Sequence, residues 1–503
     1  MDIKTFGFRR IDEPKPAWQG FLFTYWKGLI SAIIGLLVLG HGIQLTSYAT
    51  MNKDSVLEQE TLSEIALQLR GFDPELSRGI LAIDRIAKQS RSSQALRRQD
   101  RASVRQLFVQ KSGRLVSALG LQATETMGYL SQIAAQEDDW FSLLGFDSPQ
   151  TYLIALQNTA EKRPNGGFFG SFLKVVIDRG AIAQRNLIDS YVPQVLRPNT
   201  FIDGPSRLTN FLPDQEIHFV GANKIGFTYH DGANIKKLYE RAYLGEQVRG
   251  VIFVSTDLLT YIEPELQSRV RERQFINAAT DLIRGANLPG KKEHYLRDVS
   301  SMLQSQSIGL LRRVIANLDD VIDQRKINIY LEDVTHPIHR ALRESHLTTR
   351  FEEDHLYFWD SNISFNKIDT FVSKEIRIFD TQGNLMIQSD RDIVSIASLP
   401  SGSYRVVISY RLAVPDSYRN FIQQLADLYR ITLSEREYHI LGLTDVRSTR
   451  GVVYASKQLT LSTARGDVYH SSAFTTPFST NLYYKTKITQ PNGIHVIEFE
   501  MEK

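Results

Sequence analysis

The chain contains no cysteine among its 503 residues. That excludes disulfides, a thiolate nucleophile, and cysteine-ligated zinc or iron–sulfur centres. It is compatible with an extracytoplasmic bacterial protein but requires no particular compartment. An excess of charge of one sign is missing too. Lys and Arg number 59 against 56 Asp and Glu, a net of +3, so there is no chain-wide basic footprint for nucleic acid. The 11 histidines are scattered and form no H-E-x-x-H. The closest pair, His336 and His339, is spaced i, i+3 across Pro337, which suits a helix start better than a metal site. No internal repeat, heptad array or low-complexity tract is present. The apolar fraction of 42% is ordinary for globular cores, and the length suits two to four domains.

Long uncharged runs are scarce, with one exception near the N-terminus. Residues 1–20 are polar. Lys4, Arg9, Arg10 and Lys15 outweigh Asp2, Asp12 and Glu13, and Pro14 and Pro16 oppose a helix. After Phe21–Lys27, Gly28 to Met51 carries no formal charge. A bilayer core needs about 20 apolar residues. Tyr25 and Trp26 stand where interfacial aromatics belong, and Lys27 can reach the headgroups. The basic tail places the N-terminus inside the cell and the remainder outside. Ser47-Tyr48-Ala49 leaves a cleaved signal peptide open as the rival reading. The long tail favours an uncleaved span over residues 21–48, giving a single-pass cell-membrane protein with a cytoplasmic N-terminus.

Residues 52–148 read as a helical, membrane-proximal stalk, with Leu57, Leu62, Ile65 and Leu69 at helical spacing. Its basic run, Arg91 to Arg114, is either a solvated helix face or a contact for anionic lipid and envelope polymers. Residues 150–349 alternate between types: a helix at Ala233–Tyr243, a strand at Val248–Val254, helical patterns at 265–284 and 291–323, and a strand from Lys326 to Leu331. That implies an α/β core, a mixed sheet flanked by helices. Residues 350–503 turn β-rich, with strands expected at Val372–Phe379, Tyr404–Leu412, Val452–Leu461 and Ile494–Met501 and a helix near Tyr418–Tyr429. A C-terminal β-sandwich-like domain that folds apart from the core is expected.

The most informative stretch is Gln157–Ser171. Apolar runs Tyr152–Leu156 and Phe172–Ile177 read as short buried strands around a polar loop. Pro164-Asn165-Gly166 has turn chemistry, and Gly166-Gly167 leaves room for a close approach. Asn158, Glu161 and Arg163 either form a binding rim or tie the loop to its own scaffold. The pattern Q-N-x-x-E-x-R-P-x-G-G-F-x-G-S resembles the signature of a bacterial surface family, "domain of unknown function 4012". Val248–Asp257 and Trp359–Asp369 resemble two further segments of that family. The resemblance spans roughly residues 150–420. The order of elements is also similar to the LytR-CpsA-Psr cell-wall ligases, a likeness at the level of fold.

That second resemblance implies a phosphotransferase that attaches polyprenyl-phosphate-linked glycopolymers to the envelope. Asn158, Glu161, Arg163, Gly166, Gly167 and, on a later helix, Arg297 would bind the ligand. Mg²⁺ would be the cofactor, with Glu161, Asp178 or Asp231 as its ligands. The ligases place Arg-Ser-Asp-Thr after the first strand and use that Asp for the metal; here Gly166-Gly167-Phe168 stands instead. A non-catalytic binding or scaffold role in the envelope is therefore the leading expectation and the enzyme its alternative. The expected partners are the lipid bilayer and polyprenyl phosphate or an envelope glycopolymer, with no nucleic acid. The topology is testable: protease added to intact spheroplasts should digest everything beyond residue 52. Full protection of the C-terminal part would overturn it.

Overall fold

The computed structural model describes residues 142–143, 145, 147–178, 181–203, 216–255, 258, 321–322, 325–332, 336–344, 346–349, 351–362, 369–428, 432–444, 447–456, 458–465, 468–471, 480–488 and 494–503. The expected span over 21–48, nearly all of the stalk over 52–148, the helices at 265–284 and most of 291–323, and Arg297 lie outside these residues. Among the described residues no helix is long and apolar enough to cross a bilayer.

The first unit contains strands β1 (Gln150–Arg163), β2 (Gly166–Asp178) and β3 (Ala181–Asp189), then a short helix α1 (Val192–Leu196). Strands β4 (Ile202–Asp203) and β5 (Glu216–Ile217), helix α2 (Thr228–Ala242), β6 (Gly250–Ser255), β7 (Ile327–Leu331) and helix α3 (His336–Glu344) complete it. The main sheet runs β3-β2-β1-β6-β7. β1 and β6 are parallel, from Tyr152 opposite Gly250 to Gln157 opposite Ser255, while β2, β3 and β7 pair antiparallel. The mixed sheet matches the expectation. Alternation decides which side chains go where. Leu153, Ala155, Val251 and Phe253 face α2 and meet Ile235, Leu238 and Tyr239 there, whereas Tyr152, Ile154, Leu173 and Val175 form a cluster on the other face.

The second unit begins with β8 (His355–Asn362), β9 (Val372–Asp380), β10 (Leu385–Ser389), β11 (Ile393–Ser395) and β12 (Ser403–Leu412). It continues with helices α4 (Asp416–Leu428) and α5 (Glu435–Ile440), then β13 (Arg447–Ala455), β14 (Thr460–Arg465), β15 (Val468–Ser471), β16 (Thr480–Ile488) and β17 (Ile494–Glu502). Two antiparallel sheets, β10-β9-β12-β17-β14 and β11-β8-β13-β16-β15, share one apolar core. Inward positions such as Phe358, Ile376, Val406, Val453, Leu482 and Phe499 fill it. Val452–Leu461, read from sequence as one strand, is two. Ser456–Leu459 turns between them, with the Leu459 amide donating to the Ser456 carbonyl, so that β13 and β14 join different sheets.

The larger correction concerns Gln157–Ser171. It is not a loop between short strands. β1 and β2 run on through it and close in a two-residue turn, Pro164-Asn165, with Arg163 opposite Gly166. The register shifts after Leu156 and again between Asn158 and Lys162, so amides in this stretch need other acceptors. The Ala160 amide finds the Asn158 side chain, and the Lys162 amide finds Asp369 in the second unit at 2.7 Å. The space that glycine leaves here is filled by the hairpin itself: a Cβ on Gly167 would collide with the Asn158 carbonyl.

The two units meet through an aromatic plug. Phe227, just before α2, is fully buried among Tyr357 and Trp359 of β8 and Tyr454 of β13, with edge-on ring contacts at 5.0, 5.8 and 5.3 Å respectively. Gly226 beside it has φ 96°, and a Cβ there would lie 2.8 Å from the Trp359 indole. Gly226→Ala should therefore combine backbone strain with a clash, costing about 1–3 kcal/mol or more. A thermal melt several degrees below the parent is the expected result, and an unchanged melt would contradict this packing.

Candidate functional site

The signature stretch puts its polar groups on two sides of β1. Lys162 points into the second unit. Its Nζ lies 3.4 Å from Asp360 and 3.1 Å from Asp392. Lys374 on β9 also contacts both of these carboxylates, at 2.9 Å to Asp360 and in a still closer contact with Asp392. Arg447 on β13 donates to Asp360 at 3.0 Å and to Asp369 at 2.7 Å. Asn362 adds a donor to Asp369 at 2.8 Å. Two of the stretches that carry the family resemblance, around Gln157–Ser171 and Trp359–Asp369, thus converge on one cluster.

Three cations face three carboxylates, so the charges match one for one. Burial would raise the Asp360 carboxyl, but Lys162, Lys374 and Arg447 outweigh it and hold the group well below the ordinary range. Asp392 is likewise held down, because Lys162 and Lys374 outweigh its burial. Burial opposes the charge on Lys162, but Asp360 and Asp392 raise its pKa above normal. The Lys162 side chain keeps 26% of its surface accessible, so solvent weakens its share relative to that of the fully enclosed Arg447.

On the other side of β1, Arg163 is only 8% exposed. Its guanidinium donates to Glu161 at 2.8 Å and lies 5.6 Å from the centre of the Phe168 ring. Gln157 is buried as well and donates to the Asn165 carbonyl, while Asn223 donates to the Gly167 carbonyl at 2.8 Å.

Arg325 ties the hairpin turn to both units. It takes the left-handed φ of 55°, donates to the Pro164 carbonyl, the Asn165 side chain and the Gly226 carbonyl, and stacks 4.4 Å over Trp359. Burial lowers its pKa to about 10. Asp231, in the first turn of α2, accepts from the Ile225 and Gly226 amides at 3.0 and 2.9 Å. The Gly226 peptide is thus held by Asp231 at its amide and by Arg325 at its carbonyl.

The three candidate metal ligands are not brought together. Glu161 pairs with Arg163, Asp231 caps a turn, and Asp178 ends β2, twelve residues and roughly 40 Å of strand from the hairpin tip. The carboxylates that converge beside the hairpin are neutralised by Lys and Arg, so the described residues at the signature do not fit Mg²⁺. Among the described residues, one group of suitable atoms clusters elsewhere: Glu352, Asp354 and His355, all within 4.8 Å at the start of β8.

Sequence reading singled out Asn158, Glu161, Arg163, Gly166 and Gly167 and passed over Lys162, Arg325, Lys374, Asp392 and Arg447. One signal was available. Lys374 shares strand parity with Ile376 and Ile378, which marks an inward-facing lysine.

Residues 147–264 match the model of a family described as "Protein of unknown function (DUF4012)". That match covers β1 to β6, including the hairpin and the Val248–Asp257 segment, and ends before the carboxylates of β8. No curated protein and no solved structure matches the chain. Lys162 lies inside the matched residues, and its carboxylate partners Asp360 and Asp392 lie outside them.

The buried charges set the pH response. Burial pushes Asp231 up from 3.8 to about 7, so its contribution to stability is full below pH 3.8 and lost as pH rises through 7. Asp360 and Asp392 act oppositely: their contribution is present above about pH 4 and is lost on further acidification. Urea unfolding at pH 5, 6, 7 and 8 should show stability falling with pH, and Asp231→Asn should flatten that slope. An equally steep slope in the variant would refute this assignment.

Proposed function

We propose that the chain is a membrane-anchored, extracytoplasmic cell-envelope protein with a non-catalytic binding or scaffold role. In this reading residues 1–20 are cytoplasmic, 21–48 span the membrane, and 52–148 form a helical stalk. The α/β core of 150–349 and the β-rich unit of 350–503 are presented outside. One observation carries the choice of class. The ionic groups of the signature hairpin are matched by partners within the chain, Lys162 by Asp360 and Asp392 and Arg163 by Glu161. A phosphate clamp needs a guanidinium with open donors facing solvent, and Arg163 is enclosed. The signature therefore reads as a joint that locks the β-rich unit onto the core. The joint also argues for coupling: without the first unit, the β-rich unit would keep three carboxylates against two cations.

The weaker reading is a LytR-CpsA-Psr-like phosphotransferase acting on polyprenyl-phosphate-linked glycopolymers with Mg²⁺. The order of strands supports it, and the pairing of Asp360, Asp369 and Asp392 beside the hairpin with Lys and Arg weakens it.

Titration of the full chain in detergent with a polyprenyl phosphate, with and without Mg²⁺, separates the two. The scaffold reading expects no saturable, Mg²⁺-dependent binding. It also expects Arg163→Ala and Asp360→Asn each to destabilise, Asp360→Asn by about 3–5 kcal/mol because it strands buried cations. Saturable binding by the parent, weakened by Arg163→Lys at an unchanged melting temperature, would favour the enzyme instead.

A further inference from the structure

The surface of the first unit carries a compact apolar patch. Tyr191, Val195 and Leu196 are all exposed large hydrophobics within a six-residue segment on and just before α1, Val195 at 64%. Such residues scattered singly need no explanation, but a cluster marks an interaction surface. α1 packs against α2, and Arg241 in the last turn of α2 donates to the Phe201 carbonyl at 2.9 Å. That bond brings the end of α2 beside the chain leaving α1. Just past that end, Leu244 is 73% exposed, the most exposed of the large hydrophobics described. The patch is held firmly, since the Tyr191 amide donates to Asp189 at 3.0 Å and Pro193, in the first turn of α1, is buried.

Charge says what kind of surface covers it. Arg197 follows α1 and is exposed, and Lys237 lies exposed on α2. Three nearby acids are paired with cations, Glu240 with Lys236 at 2.5 Å, Glu246 with Lys174 at 2.7 Å, and Glu161 with Arg163, while Asp189 accepts from the Tyr191 amide. An aromatic, three aliphatic side chains and cations with long stems form the composition of a bilayer interface, in which rings sit at headgroup depth and Lys and Arg meet anionic lipid.

We propose that α1 and the end of α2 form a docking face for an anionic membrane surface. The face lays the α/β core against the bilayer instead of leaving it at the end of its stalk. The proposal rests on the membrane-anchored reading above. About a hundred residues separate the proposed span at 21–48 from the described β1.

The absence of cysteine makes the test direct, because one introduced thiol is the sole labelling site. Full-length Val195→Cys, carrying an environment-sensitive fluorophore, is reconstituted into nanodiscs of phosphatidylcholine with phosphatidylglycerol. Leu36→Cys reports on the anchor, and Gln382→Cys, exposed in the β9–β10 turn, serves as the water-facing control. The expected result is a blue shift and severalfold brightening at residue 195, with quenching by bilayer-borne nitroxide. Both should weaken in pure phosphatidylcholine, at high salt, and in Arg197→Glu or Lys237→Glu backgrounds. Residue 382 should show neither.

A water-exposed label at residue 195 beside a quenched one at residue 36 overturns the docking face and leaves the anchor standing. Quenching at residue 195 without quenching at residue 36 keeps the face and overturns the anchor. A label at residue 195 already shielded without lipid overturns the proposal, because a second copy or another part of the chain then covers the patch.

Discussion

Lys162 leaves the hairpin of one unit and ends between Asp360 and Asp392 of another. Charges as enclosed as Asp360 and Arg447 stabilise only when each is matched, because the cost of leaving water exceeds any single Coulomb gain. Lys374 and Arg447 complete the match on the β-rich side, and Asp369 satisfies both Arg447 and the Lys162 amide. An apolar joint would tolerate slippage. A cluster in which each group has a fixed partner admits one register of the hairpin against β8, β9 and β13.

A second layer depends on that register. With the hairpin seated, the Pro164 carbonyl and the Asn165 side chain come within reach of Arg325, which then stacks on Trp359 and holds the Gly226 peptide. Phe227 follows directly and fills the ring of Tyr357, Trp359 and Tyr454. Hydrophobic area and charge thus act at one joint. The polar part specifies the arrangement and the aromatic part supplies burial. This is why Lys162 and Arg163 of the signature stretch have their ionic partners inside the chain.

Much of the fold was legible because it follows from period and composition. Strands β6, β7, β9, β12 and β17 and helix α4 fell near their expected places, since alternating or continuous apolar runs bounded by turn residues have few other solutions. The hairpin did not. Asn158 to Arg163 is too polar to read as strand by propensity, and the ionic partners that permit it to be strand lie about 200 residues further along. The division between β13 and β14 was hidden because Val452–Leu461 has strand-like composition throughout, while the turn at Ser456–Leu459 is fixed by which sheet each half completes.

By itself the sequence determined what chemistry was absent, where the single long uncharged run lies, and the succession from mixed α/β to mostly β. These are local or compositional properties, set by side-chain type and spacing. Tertiary structure alone decided what the charges are for. Glu161 and Arg163 are two positions apart and pair across one strand face, whereas Lys162 between them points the opposite way and finds its carboxylates in another sheet. Strand parity separates neighbours onto opposite faces, and burial turns a charge from a ligand group into a structural one. Neither can be read until the chain's distant segments are in contact.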